Sequence, residues 1–501
     1  MTETQVSESE SAKSNDVQQP QSERARQDGE EDGNTIGWDG QHDVENPMNW
    51  PQSRKWTNIA LMSLLTIISP LVREPDTQGT SNMDQEKVLI KTFHSPLLAT
   101  FVVSIYFLGY AFGPLLFAPM SEIYGRVYLY HCGNVAFTAT CIGAALSSDL
   151  GGLLVFRFLM GAAGSAPTTV GVGSIIDIVL LSQRGRAVSL WAMGPLLGPS
   201  IGPIIGGYLV EHAGWRWVFR LLAIMGAALG ALAAIVMRET YAPVLLQRKV
   251  NRLRKETGNT ELRSSLGTRN KKVIKMAAIR PLKLLVGTPM VTFIALYIGI
   301  AFGILNLLIA TFSFVYVENY GFSEGESGLS FLPAGLGMMV GVLSVGPICD
   351  TLVKRAREAQ PPEAPYRPEV KLVPWLAVPT GLMLSVGLFI YGWTVQYQVH
   401  WIVPMVGVAV LSTGMMGVTM CVQNYLIDSY PRYASSGSAA ITLFRSLIGG
   451  LLPLSGLRLY DALGWGWGNS LLGFIALGLV PIPVLFYYFG ERIRRRFDPV
   501  L

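Results

Sequence analysis

Apolar runs long enough to cross a lipid bilayer recur twelve times in this sequence, and they restrict its fold more than any other feature. A membrane-spanning helix needs about 20 mainly apolar residues. Only 15% of the residues are charged, against about 25% in soluble domains. The runs lie at 57–72, 97–117, 128–147, 152–176, 187–210 and 217–237, and then at 290–316, 328–349, 373–393, 401–426, 436–457 and 470–489. The pattern predicts an all-α membrane protein with twelve transmembrane helices in two pseudo-symmetric six-helix bundles.

The charged residues collect mainly outside these runs. Residues 1–50 carry 12 Asp and Glu against 3 Lys and Arg, whereas residues 238–283 carry 13 Lys and Arg against 3 Glu. Loops rich in Lys and Arg stay on the cytoplasmic side of a membrane, so both termini and the central loop are predicted to be cytoplasmic. This topology accounts for the net charge of +5 without a nucleic-acid partner.

These features divide the chain into five parts. In order they are a disordered cytoplasmic tail, an N-terminal six-helix bundle, a basic cytoplasmic linker, a C-terminal six-helix bundle and a basic cytoplasmic tail, at 1–50, 51–237, 238–283, 284–490 and 491–501. Within the linker, apolar residues recur among basic ones at Val244, Leu245, Leu246, Val250 and Leu253. This pattern fits a helix on the inner membrane surface and an ordinary basic linker about equally well.

A charged motif follows the second span. Glu122 lies three residues before Gly125, and Arg126 comes next. Gly125 permits a sharp turn, and the two charged side chains can hold a neighbouring helix end through charge-assisted hydrogen bonds. A weaker echo follows the eighth span, at Asp350 with Lys354 and Arg355, as a duplicated architecture would produce.

Arg157 lies deep within the fourth apolar span and Arg445 deep within the eleventh. An arginine at the centre of a spanning helix costs about 2.5–3.5 kcal/mol on insertion scales, so each side chain should face the bundle interior or water. The functional interpretation is coupling or gating. The structural alternative is an arginine satisfied by backbone carbonyls or placed near the outer interface.

The fifth span carries a run of small residues and prolines. Glycines four apart let a neighbouring backbone come close, and prolines kink a helix. Such a helix can bend or rock between two arrangements. The residues that form the motif are Gly198, Pro199, Gly202, Pro203, Gly206 and Gly207.

These motifs together resemble the major facilitator superfamily, in the version used by fungal twelve-span drug:proton antiporters. The loop at 113–126 resembles the family's signature loop, although Ala118 replaces its usual first glycine. Arg157 with Gly161 resembles a motif to which the family assigns proton coupling. The fifth span matches the antiporter motif Gly-x-x-x-Gly-Pro-x-x-Gly-Gly at every specified position. Residues 38–51 and 238–246 resemble flanking signatures of the same subfamily.

The first span departs from this resemblance. Its apolar run ends at Val72, and polar residues continue from Arg73 to Lys91. We expect a short or irregular first helix, with residues 73–91 as an irregular extracellular loop. A mis-joined exon in the gene model and a chain that has lost transport are the alternatives.

The resemblance implies a proton-coupled secondary transporter that exports small hydrophobic or amphipathic compounds, such as secondary metabolites, toxins or drugs. The alternatives are a polyamine or nutrient carrier of the same superfamily and a transport-inactive membrane protein. No enzyme is expected, because no nucleophile–base or metal-ligand spacing is present, and no cofactor beyond the proton gradient. Residues that could line a substrate cavity are Tyr110, Trp191, Asn306, Gln423 and Asn424.

The expected partners are the lipid bilayer, protons and a small-molecule substrate, and the expected state is a monomer. The predicted location is the plasma membrane, with the vacuolar membrane as the alternative.

Overall fold

The computed structural model describes residues 34–40, 43–71, 96–179, 181–266, 271–359, 361, 367–430 and 434–497. The described part of the N-terminal half contains seven helices, because the fourth predicted span is broken at Ser165. They are α1 Gln52–Leu71, α2 Pro96–Tyr124, α3 Arg126–Leu146, α4 Leu150–Gly164, α5 Ala166–Ile178, α6 Leu181–Ala213 and α7 Trp215–Val236. Pro167 follows the break between α4 and α5 at once, at a position where proline fits the start of a helix.

The linker and the C-terminal half follow. The linker contains α8 Ala242–Thr257 and most of α9 Lys271–Gly287. The half itself contains α10 Pro289–Phe314, α11 Glu324–Leu329, α12 Leu332–Glu358, α13 Pro374–Gln396, α14 Ile402–Ser429, α15 Ala434–Leu451, α16 Gly456–Leu479 and α17 Pro481–Arg496. A positive φ of 71° at Gly464 breaks α16. Glycine adopts this conformation at little cost.

Ten helical stretches in the described part of the chain are long and apolar enough to cross a membrane. The helices at the first and third predicted spans, α1 and α3, are not among these ten because they are more polar. The prediction of an all-α membrane protein with two helical bundles is therefore confirmed. The first helix starts at Gln52, earlier than predicted, and runs for 20 residues, about 30 Å. The predicted loop at 73–91 lies outside the described residues.

The helices alternate in direction, so each bundle has two distinguishable ends. We call the end that bears Gly125 and the α7–α8 connection the linker end, and the opposite one the far end. At the linker end lie the C-termini of α2, α5, α7, α12, α14 and α17. The residues near 147–149, 214 and 320–323 connect helices at the far end.

Glycine faces hold each bundle together. A Cβ at Gly109 of α2 would overlap the backbone carbonyl of Phe158 on α4, and one at Gly161 would overlap that of Tyr106. In the C-terminal half, a Cβ at Gly341 of α12 would lie 2.5 Å from the carbonyl oxygen of Thr413 on α14. Small residues bring helix backbones into contact, which is the main source of packing energy in a lipid environment.

The segment before α1 has a defined structure where it is described, unlike the disordered tail predicted for 1–50. Residues Thr35–Ile36 pair in parallel with Arg263–Ser264 of the linker. Lys249 of α8 is 5% exposed at its side chain and pairs with Asp39 at 2.7 Å and Asp43 at 3.4 Å. The segment is therefore tied to the linker by a sheet and by charge.

The same contacts bear on the interpretation of the linker helix. Leu246 and Val250 of α8 have no exposed surface, so the centre of its apolar stripe is covered by protein. Among the apolar positions of the pattern, Val244, Leu245 and Leu253 are partly exposed. The geometry therefore shows a helix docked on the protein, an arrangement that neither of the two interpretations left open by the sequence specified.

Candidate functional site

Arg126 forms the centre of a charged cluster at the linker end of the N-terminal half. Its Nε lies 3.1 Å from Oδ2 of Asp177, the penultimate residue of α5. Its Nη1 donates to the Ser121 hydroxyl at 2.7 Å, and its guanidinium lies 4.7 Å from the ring centroid of Tyr241. Arg126 therefore connects α3 to α2, α5 and the segment that follows α7.

Glu239 completes this Arg126 cluster by capping α3. Its carboxylate accepts from the backbone N–H of Arg126 at 2.9 Å and of Val127 at 3.3 Å. It also accepts from the N–H of Thr240 and of Tyr241, both at 3.0 Å. A helix N-terminus is a ready anion site because its first N–H groups are unpaired within the helix and its dipole is positive there.

Gly125 is required at this turn for two reasons. Its φ is 98°, a conformation that favours glycine, and a Cβ would overlap the Glu239 carboxylate. Glu122, the other predicted member of the motif, lies half-buried on α2. The sequence motifs assigned no role to Asp177 or Glu239. The position of Glu239 two residues after the sixth predicted span was the available signal.

The C-terminal half carries charged pairs at equivalent places in its own helix order. Lys371 precedes α13 and its Nζ lies 2.6 Å from Oδ2 of Asp428, near the end of α14. Arg494, near the end of α17, pairs with Glu369. The elements match those of the Arg126 cluster, namely the start of the third helix and the ends of the fourth and sixth helices of a half.

The echo motif predicted in the second half does not form this cluster. Asp350 is exposed, and Lys354 lies 3.9 Å from Glu358 on its own helix. The reason is positional: these residues lie on the surface of α12, whereas the paired groups are Lys371, Asp428, Glu369 and Arg494.

Arg157 is enclosed within the N-terminal half. It is 1% exposed, and its guanidinium carbon lies 5.1 Å from the ring centroid of Phe219 and 5.9 Å from that of Tyr106. The Tyr106 hydroxyl lies 2.9 Å from both the hydroxyl and the carbonyl oxygen of Ser69 on α1. Aromatic faces attract a guanidinium, most strongly where water is excluded. The rings of α2 and α7 thus surround this charge.

Arg445 has different surroundings. It is half-buried on α15, midway along the candidate span Ser436–Ser455. Its guanidinium carbon lies 4.6 Å from the ring centroid of Phe302 on α10. One turn further along α10, the Asn306 amide donates to the carbonyl of Gly449 at 3.3 Å.

The predicted fifth span forms α6, which contacts both halves. Cβ atoms at Gly194 and Gly198 would overlap Ser63 and Pro70 of α1. Nearer the far end, a Cβ at Gly328 of α11 would lie 2.6 Å from the Pro203 carbonyl oxygen. The other motif residues that the structure places in buried positions are Gly202, Gly206 and Gly207, and Pro199 is partly exposed.

A second contact between the halves also lies near the far end. A Cβ at Gly450 of α15 would lie 2.9 Å from the Cβ of Phe107 and 3.1 Å from the carbonyl oxygen of Ser104, both on α2. On the α6 side, the Glu211 carboxylate accepts from the N–H of Gly325 at 2.9 Å. Both contacts are remote from the Arg126 cluster.

The predicted cavity residues do not share one environment. The Tyr110 hydroxyl lies 2.7 Å from that of Thr168 within the N-terminal half, and the Trp191 indole packs against Gly171 of α5. Asn306 faces α15, as described above. Gln423 and Asn424 are partly exposed on α14. A small cavity within the N-terminal half is lined by Leu65, Ile68, Ser69, Gly133, Asn134, Phe137, Ala163, Gly164 and Pro167.

Comparisons with known proteins agree on one family. A profile of the Major Facilitator Superfamily matches residues 85–453. The chain is 45% identical to the MFS-type transporter penM of Penicillium rubens, over 92% of this chain and 90% of that one. It is 43% identical to the efflux pump radE of Floropilus chiversii, over 93% and 86%, and 44% identical to the MFS transporter cpaT of Aspergillus oryzae, over 92% and 91%.

Solved structures agree on the fold. A D-xylose-proton symporter matches with a TM-score of 0.60 at 16% identity, over 86% of this chain and 98% of that one. A bacterial homologue of the lysosomal transporter Spinster, in an inward-facing conformation, matches with a TM-score of 0.56 at 14% identity, over 89% and 99%. The chain therefore belongs to the major facilitator superfamily, and it is a multi-pass membrane transporter rather than an enzyme.

Proposed function

We propose that this major facilitator is a proton-coupled exporter of small hydrophobic or amphipathic compounds, a class that includes secondary metabolites, toxins and drugs. The antiporter motif of α6 supports export, and so does a relative that is named as an efflux pump. A nucleotide-driven mechanism is disfavoured because the sequence contains no phosphate-binding Gly-x-x-x-x-Gly-Lys-Ser/Thr loop.

One observation carries the mechanism: α6 packs against α1 of its own half and against α11 of the other half. Rocking of two halves about such a contact gives alternating access in transporters built from repeats. Gly194 and Gly198 allow the close approach to α1, while Pro199 and Pro203 let the helix bend. Movement of α6 would therefore change the contact between the halves.

The charged groups divide between two roles in this proposal. The Arg126 cluster, with Glu122 beside it on α2, latches the linker end of the N-terminal half. Arg157 lies between aromatic rings in the same half. Its positive charge couples the change of conformation to the movement of a proton. The proposal keeps the predicted topology, in which the linker end is cytoplasmic. It also keeps the division of the chain into a tail, two bundles, a linker and a second tail. The protein acts as a monomer in the plasma membrane.

Inside-out membrane vesicles test the direction and the energy source. An imposed pH gradient should drive accumulation of a hydrophobic fluorescent compound, and a protonophore should abolish it. The variant Gly202→Leu/Gly206→Leu should reach the membrane and lose this flux, because leucine side chains would keep neighbouring helices apart. Movement of the compound out of these vesicles under the same gradient would indicate a nutrient or polyamine carrier instead.

Metabolite profiling of producing cells with and without the gene identifies the cargo. A compound retained inside the cells that lack the gene is the expected result for an exporter. Identical profiles of cells and medium would contradict export of any metabolite made under those conditions.

A further inference from the structure

We propose that Arg445 forms an anion-recognition site in the transport pathway, so that the preferred cargo is an apolar molecule bearing a carboxylate, phenolate or enolate. This inference rests on the proposed function, because it names the chemical class of the compound exported. It assigns Arg445 to binding of cargo, whereas the sequence motif placed it with the coupling residues.

The sides of α15 identify what Arg445 faces. Phe444 and Ile448 pack against Gly299 and Gly303 of α10, and Gly450 packs against α2. On the remaining outer side, Leu451 is 53% exposed, as expected for a side chain in lipid. A 100° advance per residue places Arg445 in the sector between the α10 contact and the α2 contact, away from Leu451.

Polar side chains share that inner sector. Ser438 lies about two turns and Thr442 about one turn before Arg445, on the same side of α15. All three residues are partly exposed although neighbouring helices flank them. In this proposal the three partly exposed polar side chains line the route that a cargo takes between the halves.

The groups around Arg445 suit an aromatic or conjugated acid. A guanidinium binds a carboxylate through two parallel hydrogen bonds, and the Phe302 ring at 4.6 Å offers a face for stacking. The Asn306 amide lies one turn further along α10 and contacts Gly449 on α15. A charged group, a ring and an amide thus meet where α10 and α15 face the pathway.

The depth of Arg445 in its span favours an anionic cargo. In α2, α5, α6 and α14 the acidic residues lie within two residues of a helix end, namely Glu122, Asp177, Glu211 and Asp428, and α1, α10 and α15 contain none. Arg445, by contrast, lies at mid-span. A positive side chain at mid-membrane depth attracts anionic substrates because the low dielectric screens it weakly.

Two dyes of similar size and shape test this inference. Purified full-length protein in lipid nanodiscs is titrated with fluorescein, an anionic xanthene, and with rhodamine 123, a cationic one. The wild type should bind fluorescein at least about tenfold more tightly. Arg445→Gln should weaken fluorescein binding at least about tenfold, since a hydrogen bond to a charged group is lost, and should leave rhodamine 123 binding unchanged or stronger.

The controls separate recognition from folding. Arg495→Gln removes an arginine that is 80% exposed at its side chain, and it should bind both dyes as the wild type does. Arg445→Lys keeps the charge and should retain part of the fluorescein affinity. Equal affinity of the wild type for the two dyes, or unchanged fluorescein binding by Arg445→Gln, would overturn the inference.

The outcome is distinguishable from that of the proposed function. Arg445-dependent binding of fluorescein without proton-driven outward flux would refute the exporter and keep the anion site. Proton-driven efflux that favours rhodamine 123 over fluorescein would keep the exporter and refute the anion site.

Discussion

The two halves of the molecule each place an arginine deep inside an apolar span, Arg157 and Arg445, and they surround it differently. Arg157 is 1% exposed between the rings of Phe219 and Tyr106, all within the N-terminal half. Arg445 is partly exposed and lies against Phe302 of α10, within the C-terminal half. A charge enclosed in one bundle can stabilise that bundle or one of its conformations. A charge that faces the pathway can also meet a passing solute.

At the linker end the two halves form similar ion pairs from different residues. In each, a basic residue at the start of the third helix pairs with an aspartate near the end of the fourth, Arg126 with Asp177 and Lys371 with Asp428. The sixth helix then contributes opposite signs: Glu239 follows α7, whereas Arg494 lies near the end of α17. The positions are equivalent in the two halves, but the sign of the charge from the sixth helix is reversed.

The largest expected effect concerns helix packing. Gly198→Leu should reduce efflux to below a tenth of the wild-type rate, because a side chain there would overlap Pro70 of α1 and overpacking costs about 1–3 kcal/mol or more. Gly346→Leu in the other half is the matched control, since nothing lies within 4 Å of a Cβ at that position. Vesicle flux normalised to membrane-inserted protein measures both. Equal losses in the two variants would reject a specific role for the α1–α6 contact.

The next largest effect is expected for substitution of the two arginines. Arg157→Gln should lower pH-driven efflux at least about tenfold, because the charge held between the rings is removed. Arg445→Gln should keep the pH dependence of flux and change the preference between anionic and cationic dyes. The measurement is initial efflux rate against the imposed pH gradient for both variants. Normal pH-driven efflux by Arg157→Gln would contradict the proposed coupling role of Arg157.

The ion pairs at the linker end should differ in stability. Asp177 and Arg126 have side chains 16% and 13% exposed, and Asp428 and Lys371 26% and 13%. Leaving one partner of a buried pair uncompensated costs about 3–5 kcal/mol, with much less for exposed pairs. We therefore expect Asp177→Asn to cost about 2 kcal/mol and Asp428→Asn about 1 kcal/mol, measured by thermal unfolding in detergent.

Glu358→Gln provides the control for this pair of variants. Its carboxylate side chain is 63% exposed beside Lys354, so thermal unfolding should be unchanged within error. A larger loss for Asp428→Asn than for Asp177→Asn would contradict the ranking by burial.

The smallest expected effect is on the segment before α1. Lys249→Met should increase proteolysis near residues 34–50, whereas loss of the exposed Arg252–Glu45 pair, with side chains 55% and 46% exposed, should change little. Burial acts to lower the pKa of Lys249, but Asp39 and Asp43 outweigh it and raise the pKa. Burial acts to raise the pKa of Asp43, but the backbone N–H groups of Asp39 and Glu45 and the Lys249 charge outweigh it and lower the pKa.

These directions set the pH window of the contact. The contribution of Asp43 is present above its ordinary pKa of 3.8 and is lost as the pH falls through the lower folded value. That of Lys249 is present below 10.5 and is lost as the pH rises through the higher folded value. Limited proteolysis should therefore show protection at neutral pH and release in acid below about pH 4. Constant protection down to pH 2 would contradict the electrostatic account.

Particular residues show how far the sequence predicts the site. Gly125 and the α6 glycines were identified from spacing, because a turn or a close helix contact requires glycine wherever it occurs. Asp177 and the role of Glu239 were missed, because Glu239 caps a helix whose first residue lies 113 positions earlier in the chain. Cys349 and Cys421 are also distant in sequence, yet their Sγ atoms lie 3.8 Å apart.

The sequence by itself determined the helices, the two bundles and the motif positions. A bilayer requires each span to satisfy its backbone hydrogen bonds internally and to expose apolar side chains, and both demands are local. Only the tertiary structure decided that Arg157 is enclosed, that Arg445 lies against Phe302 and that the described segment before α1 docks on the linker. Those outcomes depend on how each helix is rotated and which distant side chains it meets, and a local pattern carries no record of either.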